Sequence, residues 1–503
     1  MTAEEAAGVG AIAAERLGGV DLHPRLEPQA ADLRLPSPRV EAPASLAALT
    51  SAEPRDRAGH AYGKAYRDVV RHLRGDYPHP PDLVARPESD ADVERLLTWC
   101  ADGRIAVIPY GGGSSVVGGV EPDLPEGYRG AVSLDLERLD QLLELDETSL
   151  AARLQAGMLG PAVEDALRPH GLTLRHFPQS FELSSVGGWI ATRSGGHHST
   201  LRQRIDDFVE SVRMLAPRGW FETRRLPASG AGPDPNRLVL GSEGTLGVIT
   251  EAWLRVQPRP DVRAKGSARF ASFEAGAAAA RIVSQSGLYP SECRLLDELE
   301  AELNGAGPGT VLLLGFEAAG RAQALLDLQL EGALELCRQA GATSAEKSAA
   351  AASGWRSSFM RAPYLRDALA LQGMVAETFE TACTWAAFPG LHQCVMDAAG
   401  RALGTGWVTC RLTHVYPDGP APYFTVVAAA SEGSELEQWD EVKAACSDAV
   451  LAAGGTITHH HAVGRNHRRW YEQESPAPFQ AALREARRSL DPAGIMNPGA
   501  LLA

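Results

Sequence analysis

Three glycine-rich segments lie between residues 105 and 251, in a stretch that otherwise alternates short helix and strand patterns. They read IAVIPYGGGSSVVGG at 105–119, FPQSFELSSVGGWIATRSGG at 177–196 and GSEGTLGVITE at 241–251. Successive glycines let backbone N–H groups converge on an anion, and adjacent hydroxyls add donors. The first segment is neither a Walker A loop nor a GxGxxG turn, and alone it is as compatible with a tight turn as with a phosphate site. Together the three segments predict a dinucleotide lying along a packed domain.

The remaining patterns divide the chain into four predicted units. Between about residues 81 and 260 a helix pattern at 90–103 precedes strand patterns at 105–111 and 130–136, which is an α/β rhythm. Later helix patterns alternate with strands such as TVLLLGFE and YFTVVAAAS. The units are an N-terminal arm with helices (1–80), an α/β domain (81–260), a second α+β domain (261–455) and a tail that carries adjacent histidines (456–503).

Charge and composition exclude several classes of protein. A formal net charge of −15 with no sustained Lys/Arg run argues against a nucleic-acid partner. Apolar runs are too short for a transmembrane segment, and the N-terminus lacks the basic region and apolar core of a secretory signal. The seven cysteines are scattered and form no CxxC pair. We therefore expect a cytoplasmic protein without structural disulfides.

The tail contains the segment ITHHHAVGRNH at 457–467, with three adjacent histidines. Imidazoles serve as metal ligands and as acid–base groups, and a histidine run can also lie on a solvated surface. The residues alone leave these three interpretations open.

In their order, the three glycine-rich segments resemble the FAD-binding domain of the vanillyl-alcohol-oxidase/PCMH flavoprotein superfamily, in its type 4 group of FAD-binding oxidases and transferases. PQSFELSSVGGWIATRSGG, GSEGTLGVITEA and THHHAVG are similar to one branch, the alkyldihydroxyacetonephosphate (alkylglycerone-phosphate) synthases, and the resemblance extends from about residue 60 to the C-terminus. It implies an α+β fold: a PCMH-type FAD-binding domain, a second α+β cap or substrate domain with an antiparallel sheet, and a C-terminal segment that returns to the flavin.

The resemblance also implies which residues bind FAD. They are Pro109, Tyr110, Gly111, Gly112, Gly113, Ser114, Ser115, Gln179, Ser180, Phe181, Glu182, Leu183, Ser184, Ser185, Thr192, Arg193, Ser194, Gly195, Glu243, Gly244, Thr245, Leu246, Gly247, Val248 and Ile249. Many superfamily members attach FAD covalently through His or Cys, but residues 109–119 contain neither, so we predict non-covalent FAD. His197 and His198 are interpreted as surface-loop residues and not as attachment points.

Two arginines of the second domain are candidates for substrate binding. A guanidinium offers a planar fork to a carboxylate or phosphate. The resemblance places a functionally important arginine at Arg366 in PYLRDAL, and it implies that this residue binds substrate. For Arg294 in SECRLLDE, substrate binding and a salt bridge to one of the 63 acidic residues are both open.

Tyr423 in PAPYF matches the acid–base tyrosine proposed for the family, and His459, His460, His461 and Arg366 complete the implied catalytic set. An unperturbed phenol has a pKa of about 10, so a base at neutral pH would need cationic neighbours or a hydrogen-bond network. The neighbouring imidazoles could supply either. A buried structural role for Tyr423 is the alternative.

The histidine turn also differs from a metal-binding turn. In the related 2-hydroxy-acid dehydrogenases the turn reads GEHGIG, and with an upstream HxGDGNLH it holds a divalent metal. Here His460 stands at the glutamate position, and Tyr423 stands where the second upstream histidine is expected. We predict no metal. A zinc ion held by His414 and the triplet stays open, although adjacent residues of an extended segment point to opposite faces, so at most two of the three could reach it.

One residue departs from the synthase turn, which reads HHHGVG in that branch. Ala462 replaces its glycine. If this position requires a positive φ, alanine adds strain of about 1 kcal/mol.

The resemblance implies an FAD-dependent exchange of the acyl group of an acyl-dihydroxyacetone phosphate-like substrate for an alcohol, through a flavin N5 adduct and with no net redox. The alternative is an FAD-dependent oxidase or dehydrogenase of an alcohol or 2-hydroxy acid; a third is a flavin-binding protein without chemistry. The expected partners are a small-molecule or lipid-like anionic substrate and a second copy of the chain in a homodimer. A long apolar stretch that follows CRLLDE in eukaryotic members is missing here, so the entrance for an acyl chain lacks support.

Overall fold

The structure is a computed structural model that describes residues 3–25, 33–198, 200, 204–348, 361 and 364–502. Its α-helices span Ala3–Arg16, Pro54–Gly59, Tyr66–Leu73, Asp90–Gly103, Gly160–Leu167, Val186–Thr192, Ile205–Phe208, Asn236–Val239, Phe273–Gln285, Glu298–Leu303, Gln323–Gln339, Phe388–Leu403, Glu435–Ala452, Arg468–Glu474 and Ala477–Leu490. Residues 364–371 are also helical. No described helix combines the length and the apolar character that crossing a bilayer requires.

The strands form two groups of sheets. In chain order they are β1 (Thr50–Ser51), β2 (Leu83–Ala85), β3 (Ile105–Tyr110), β4 (Gly130–Asp135), β5 (Leu142–Asp146), β6 (Ala151–Gln155), β7 (Leu172–Thr173), β8 (Val209–Ala216), β9 (Gly219–Glu222), β10 (Val248–Arg255), β11 (Gln257–Pro258), β12 (Val262–Phe270), β13 (Glu292–Leu296), β14 (Thr310–Ala318), β15 (Ser344–Lys347), β16 (Met374–Glu380), β17 (Gly406–Val415) and β18 (Pro420–Ala429). The helices and strands predicted from the quoted patterns are confirmed.

The first half of the molecule places its glycine-rich segments at strand ends. One sheet has the order β1-β2-β4-β3, with β2 and β3 parallel to β4, and a second has the antiparallel order β5-β6-β10-β8-β9. Helix Asp90–Gly103 crosses from β2 to β3 and begins at Ser89, whose hydroxyl accepts a hydrogen bond from the Asp92 N–H. The first glycine-rich segment follows the carboxyl end of β3, which is where ligands bind in sheets of this kind.

The second half is built on one antiparallel sheet of seven strands in the order β15-β12-β14-β13-β17-β18-β16. Helices Phe273–Gln285, Gln323–Gln339, Phe388–Leu403 and Glu435–Ala452 contribute side chains to the core on this sheet. This is the predicted α+β cap with an antiparallel sheet.

Both ends of the described chain pack against these halves. Within the predicted N-terminal arm, Ala13 and Ala14 of helix Ala3–Arg16 and the following Leu17 pack against Met374. Near the other end of the chain, Met496 forms a bridge with Val107 of β3 and is buried in the hydrophobic core of the first half. The C-terminal segment therefore returns to the first half, as predicted.

Candidate active site

A cavity lies where the glycine-rich segments of the first half face β16, β18, helix 364–371 and the histidine turn. Its lining residues are Lys64, Pro109, Tyr110, Gly111, Gly112, Gly113, Ser114, Ser115, Val116, Gly119, Val120, Pro178, Gln179, Ser180, Leu183, Ser184, Ser185, Gly187, Gly188, Trp189, Ala191, Thr192, Ser194, Gly195, Glu243, Gly244, Gly247, Ile249, Arg366, Thr378, Tyr423, His460, His461 and Ala462. The cavity thus brings together most residues of the predicted site.

The first glycine-rich loop packs backbone to backbone against the second. A Cβ atom at Gly112 would lie 1.6 Å from the carbonyl oxygen of Leu183, so no other residue fits there without moving a backbone. Gly113 has a φ of 64°, which favours glycine for a separate reason. Close approach of the two loops therefore depends on these glycines.

The same loop presents donors to the cavity. The backbone N–H groups of residues 112–115 donate no hydrogen bond to any described residue. The Ser115 hydroxyl accepts from the Gly119 N–H at 2.9 Å and so fixes the end of the loop. Gly113 is buried and residues 112, 114 and 115 are half-buried. A row of amides without protein partners along a cavity fits a polyanion such as the pyrophosphate of FAD.

Most predicted FAD-binding residues line the cavity, and some do not. Phe181, Glu182, Arg193, Thr245, Leu246 and Val248 are absent from the lining, since their side chains support the segments from behind or face elsewhere. The predicted site residues did not include eleven others that line the cavity: Lys64, Val116, Gly119, Val120, Pro178, Gly187, Gly188, Trp189, Ala191, Thr378 and Ala462. Several of these directly adjoin predicted residues, but nothing in the pattern around Lys64 indicated a site.

The histidine turn is held by a carboxylate from the cap. Ile457 and residues 459–461 form bends, so the prediction of an extended segment was wrong. Glu380, at the end of β16, accepts hydrogen bonds from the backbone N–H groups of His459 (2.7 Å), His460 (3.1 Å) and His461 (3.0 Å). The Thr458 hydroxyl donates to the same carboxylate at 2.6 Å. Three consecutive amides around one anion explain why the turn is bent.

A second carboxylate, from the first half, holds the other end of the turn. Glu243 accepts from the Val463 N–H at 2.8 Å and from the Gly464 N–H at 2.6 Å. Ala462, between the two anchored parts, has a φ of 73° and is buried. The left-handed conformation considered from the sequence is therefore present, and alanine is strained there.

The imidazoles of the turn are neutral at pH 7. Burial lowers the pKa of His461 to about 3, although the Glu380 carboxylate opposes this shift. Burial also lowers the pKa values of His459 and His460, and the nearby Arg204 guanidinium lowers both further. Of the two roles considered for these imidazoles, cationic neighbours of Tyr423 or members of a hydrogen-bond network, their lowered pKa values favour the second.

The cation beside Tyr423 is Arg411. Arg411 of β17, Tyr423 of β18 and Glu380 of β16 are directly opposite one another in neighbouring strands, so they form one row across the sheet. The guanidinium carbon of Arg411 lies 3.9 Å from the centre of the Tyr423 ring. The Tyr423 hydroxyl donates to Oε1 of Gln179 at 3.1 Å, which links the cap to the second glycine-rich segment.

Tyr423 is a neutral phenol in this environment. Its pKa is raised, mainly by burial, although the charge of Arg411 acts to lower it. At neutral pH its hydroxyl can therefore donate a hydrogen bond or a proton, while the neutral imidazoles beside it can accept one.

The two candidate arginines occupy different positions. Arg366 lines the cavity, and its Nη2 lies 3.2 Å from Oδ1 of Asp367. Arg294 is buried outside the lining, where its Nη1 bonds to Nδ1 of His197 at 2.9 Å. The structure gives no direct contact between Arg294 and the cavity, so its role in substrate binding stays a prediction.

His197 and His198 are not surface residues, contrary to the sequence interpretation. Both side chains are buried, His197 against Arg294 and His198 with its Nδ1 3.3 Å from the Ser291 carbonyl oxygen. They support the contact between the two halves.

Three imidazoles converge near the turn. The donor nitrogens of His414, His459 and His460 lie within 4.8 Å of one another. His459 and His460 belong to this group and His461 does not, which lies within the predicted limit of two, although the extended conformation on which that limit rested is absent. Imidazole nitrogens this close to one another can bind a zinc ion if they move slightly nearer to it. The prediction that the site holds no metal stays a prediction.

Two family models match the chain: "FAD binding domain" over residues 81–223 and "FAD linked oxidases, C-terminal domain" over residues 259–501. An alkyldihydroxyacetonephosphate synthase from Dictyostelium discoideum is 30% identical over 478 residues, covering 89% of this chain and 77% of that protein. The glycolate oxidase subunit GlcD of Bacillus subtilis is 25% identical, covering 85% of this chain and 90% of its own. A solved alkyldihydroxyacetonephosphate synthase structure superposes with a TM-score of 0.79 at 26% identity, covering 95% and 88% of the two chains.

Proposed function

The chain belongs to the alkyldihydroxyacetonephosphate synthase family, and from this premise we propose that it exchanges the acyl group of an acyl-dihydroxyacetone phosphate-like substrate for an alcohol, without net redox. One observation carries the proposal: a phenol under a guanidinium, neutral imidazoles and Arg366 face the glycine-rich wall of one cavity. This set combines proton donors, proton acceptors and an anion-binding group at a site for FAD.

FAD is the cofactor of this protein. We propose that residues 109–115, 179–185, 192–195 and 243–249 hold it, with the unpaired amides of residues 112–115 on its pyrophosphate. When bound, FAD supplies an electrophilic centre that takes up an electron pair from the substrate and returns it.

The chain's own residues manage protons and charge. An imidazole of His460 or His461 accepts a proton from the carbon next to the substrate carbonyl, because both rings are neutral and line the cavity. The Tyr423 hydroxyl donates to the acyloxy oxygen, which takes on negative charge as the acyl group leaves. Arg366 binds the phosphate through its guanidinium fork, and Asp367 orients that fork.

The overall exchange releases one proton. The bond between the acyloxy group and its carbon breaks, a bond from that carbon to the alcohol oxygen forms, and the alcohol loses its O–H proton. Since a fatty acid is ionised at neutral pH, the products are an ether, a carboxylate and a proton. No electron is gained or lost.

The proposal is tested with the FAD-loaded protein, an acyl-dihydroxyacetone phosphate and a long-chain alcohol. We expect mass spectrometry to find the alkyl ether and free fatty acid in equal amounts, with no oxygen consumption. If an alcohol or 2-hydroxy acid instead reduces the flavin, and oxygen or an artificial acceptor reoxidises it, the chain is an oxidase or dehydrogenase. The GlcD likeness is weaker support for that outcome, because its identity is lower.

We further propose that FAD is bound non-covalently, that the chain forms a homodimer and that it acts in the cytoplasm. Acid precipitation should release the yellow cofactor into the supernatant. Light scattering should give twice the 53.5 kDa chain mass. A yellow pellet or a mass of one chain would contradict the first and second of these proposals.

A further inference from the structure

We propose that Tyr416, His459 and His460 form a proton relay from the active-site cavity to a second cavity on the surface of the protein. The inference rests on the proposed function, because that exchange releases a proton in each turnover. Neither Tyr416 nor the second cavity has a part in the chemistry described so far.

The second cavity lies on the other side of the histidine turn. Tyr416, Tyr471, Asp418 and Glu474 are among its lining residues. Asp418 and Glu474 are exposed, so two carboxylates stand between this cavity and bulk solvent. A proton that reaches Tyr416 is therefore close to acceptors that exchange with water.

A continuous chain of hydrogen bonds joins the two cavities. The Tyr416 hydroxyl lies 2.9 Å from Nε2 of His459. Nδ1 of His459 lies 3.0 Å from Nδ1 of His460, and His460 lines the active-site cavity. Both distances are within the range of normal hydrogen bonds.

The hydrogen bonds between Tyr416, His459 and His460 allow two arrangements of protons. In going from one to the other, each shared proton moves to the opposite partner of its hydrogen bond. In a neutral imidazole one nitrogen donates and the other accepts, so two facing Nδ1 atoms bond only if one of them carries hydrogen. When His460 donates from Nδ1, His459 donates from Nε2 to Tyr416, and Nε2 of His460 is left as an acceptor. When His459 donates from Nδ1, the Tyr416 hydroxyl donates to Nε2 of His459.

The shift between these arrangements moves one proton out. A proton from the reacting groups binds Nε2 of His460, the Nδ1 proton of His460 passes to His459, and the Nε2 proton of His459 passes to Tyr416. The original hydroxyl proton of Tyr416 leaves into the second cavity. After the products leave, water in the first cavity takes the Nε2 proton of His460, the protons shift back along the same hydrogen bonds, and Tyr416 takes up one proton from the second cavity, which restores the first arrangement.

Burial favours such a coupled shift over a stored charge. His459 is buried, and the Arg204 guanidinium bonds to its carbonyl oxygen at 2.9 Å. An imidazolium at His459 would therefore be costly, and burial lowers its pKa accordingly. The relay avoids that cation because a proton leaves as another enters.

A separate route is useful because cofactor and substrate fill the first cavity and displace its water. A proton released there would otherwise have to pass the bound substrate. The second cavity shares no lining residue with the first, so a proton that leaves there does not pass the bound substrate.

The test replaces Tyr416 in the FAD-loaded full chain. Tyr416→Phe removes the hydroxyl and keeps the ring, and we expect kcat to fall about 10- to 100-fold with FAD content and melting temperature unchanged. Added imidazole buffer should restore turnover in proportion to its concentration, because a small base replaces the missing group. Tyr471→Phe, in the same cavity, should match wild type.

A second variant tests whether the residues act in series. If Tyr416 and His459 belong to one relay, Tyr416→Phe combined with His459→Gln should be no slower than the slower single variant. Wild-type rates in Tyr416→Phe, a loss that buffer does not restore, or multiplying losses in the double variant would overturn the relay. Stoichiometric zinc in the purified protein would also overturn it. Absence of ether formation by wild type would instead refute the proposed function.

Discussion

The two walls of the active-site cavity present different kinds of atoms. The wall from the first half is mainly backbone: glycines, serines and unpaired amides at strand ends. The wall from the cap is mainly side chain, with Tyr423, Arg366 and the histidines positioned by strand register and by Glu380. The comparison suggests that the first wall binds the cofactor and the second carries out the proton transfers, so variants of each wall should fail in different ways.

The largest effect is expected on the backbone wall. Gly112→Ala places a methyl group 1.6 Å from the Leu183 carbonyl oxygen, so the first two glycine-rich loops must separate. We expect loss of FAD and of all turnover, measured as the ratio of flavin to protein absorbance. Gly390→Ala, where a Cβ meets nothing within 4 Å, is the matched control and should remain fully loaded. A yellow, active Gly112→Ala protein would contradict the assignment of this wall.

The second-largest effect should distinguish the function of the side-chain wall from that of the backbone wall. Tyr423→Phe should lower kcat at least about 100-fold while the protein keeps its FAD, because only the hydroxyl is removed and the ring still packs under Arg411. Turnover and flavin absorbance measured on one preparation provide the check. Unchanged turnover would remove Tyr423 from the proton transfers.

The two carboxylates that hold the histidine turn should respond to pH in opposite directions. Burial acts to raise the pKa of Glu380, but the positive charge that the neighbouring imidazoles acquire as pH falls and the hydrogen bond from the Thr458 hydroxyl hold it well below its usual range. Its contribution to stability is therefore complete above the unfolded-state pKa of about 4.3 and is lost as pH falls. Burial raises the pKa of Glu243 to about 7, so its contribution decreases as pH rises from about 4.3 to about 7.

Urea unfolding of the Gln variants between pH 4 and pH 8 tests this contrast. Glu380→Gln should cost about 2–4 kcal/mol at pH 7, because buried amides lose a charged acceptor, and less at pH 4. Glu243→Gln should have its smallest cost near pH 7. If the loss of unfolding free energy changed with pH in the same way for both variants, the predicted contrast between Glu380 and Glu243 would be wrong.

The smallest effect concerns Ala462. Glycine adopts its φ of 73° without strain, so Ala462→Gly should stabilise the folded protein by up to about 1 kcal/mol. The rise in the urea midpoint measures this change. A lower midpoint would mean that the buried methyl group contributes more by packing than it costs in strain.

The sequence predicted the backbone wall better than the side-chain wall, and the reason is physical. Glycine and serine act through local conformation, so residues 111–115 could be assigned from their own pattern. The row of Arg411, Tyr423 and Glu380 depends on the register of β16, β17 and β18. β16 pairs with β18 although the two strands are far apart in the sequence. The burial of His197 likewise depends on distant neighbours, and its interpretation as a surface residue was wrong. The lowered pKa of His461 also depends on burial by distant neighbours.

The C-terminal segment has a consequence for biosynthesis. The Val107 N–H donates to the Ile495 carbonyl oxygen at 2.8 Å, and the Asn497 N–H donates back to Val107 at 2.9 Å. Ile495 and Met496 complete a core whose other members lie between residues 40 and 256. The cofactor-binding half therefore emerges from the ribosome first but finishes folding only after the whole cap has been translated. Flavin insertion should accordingly be a late, post-translational step.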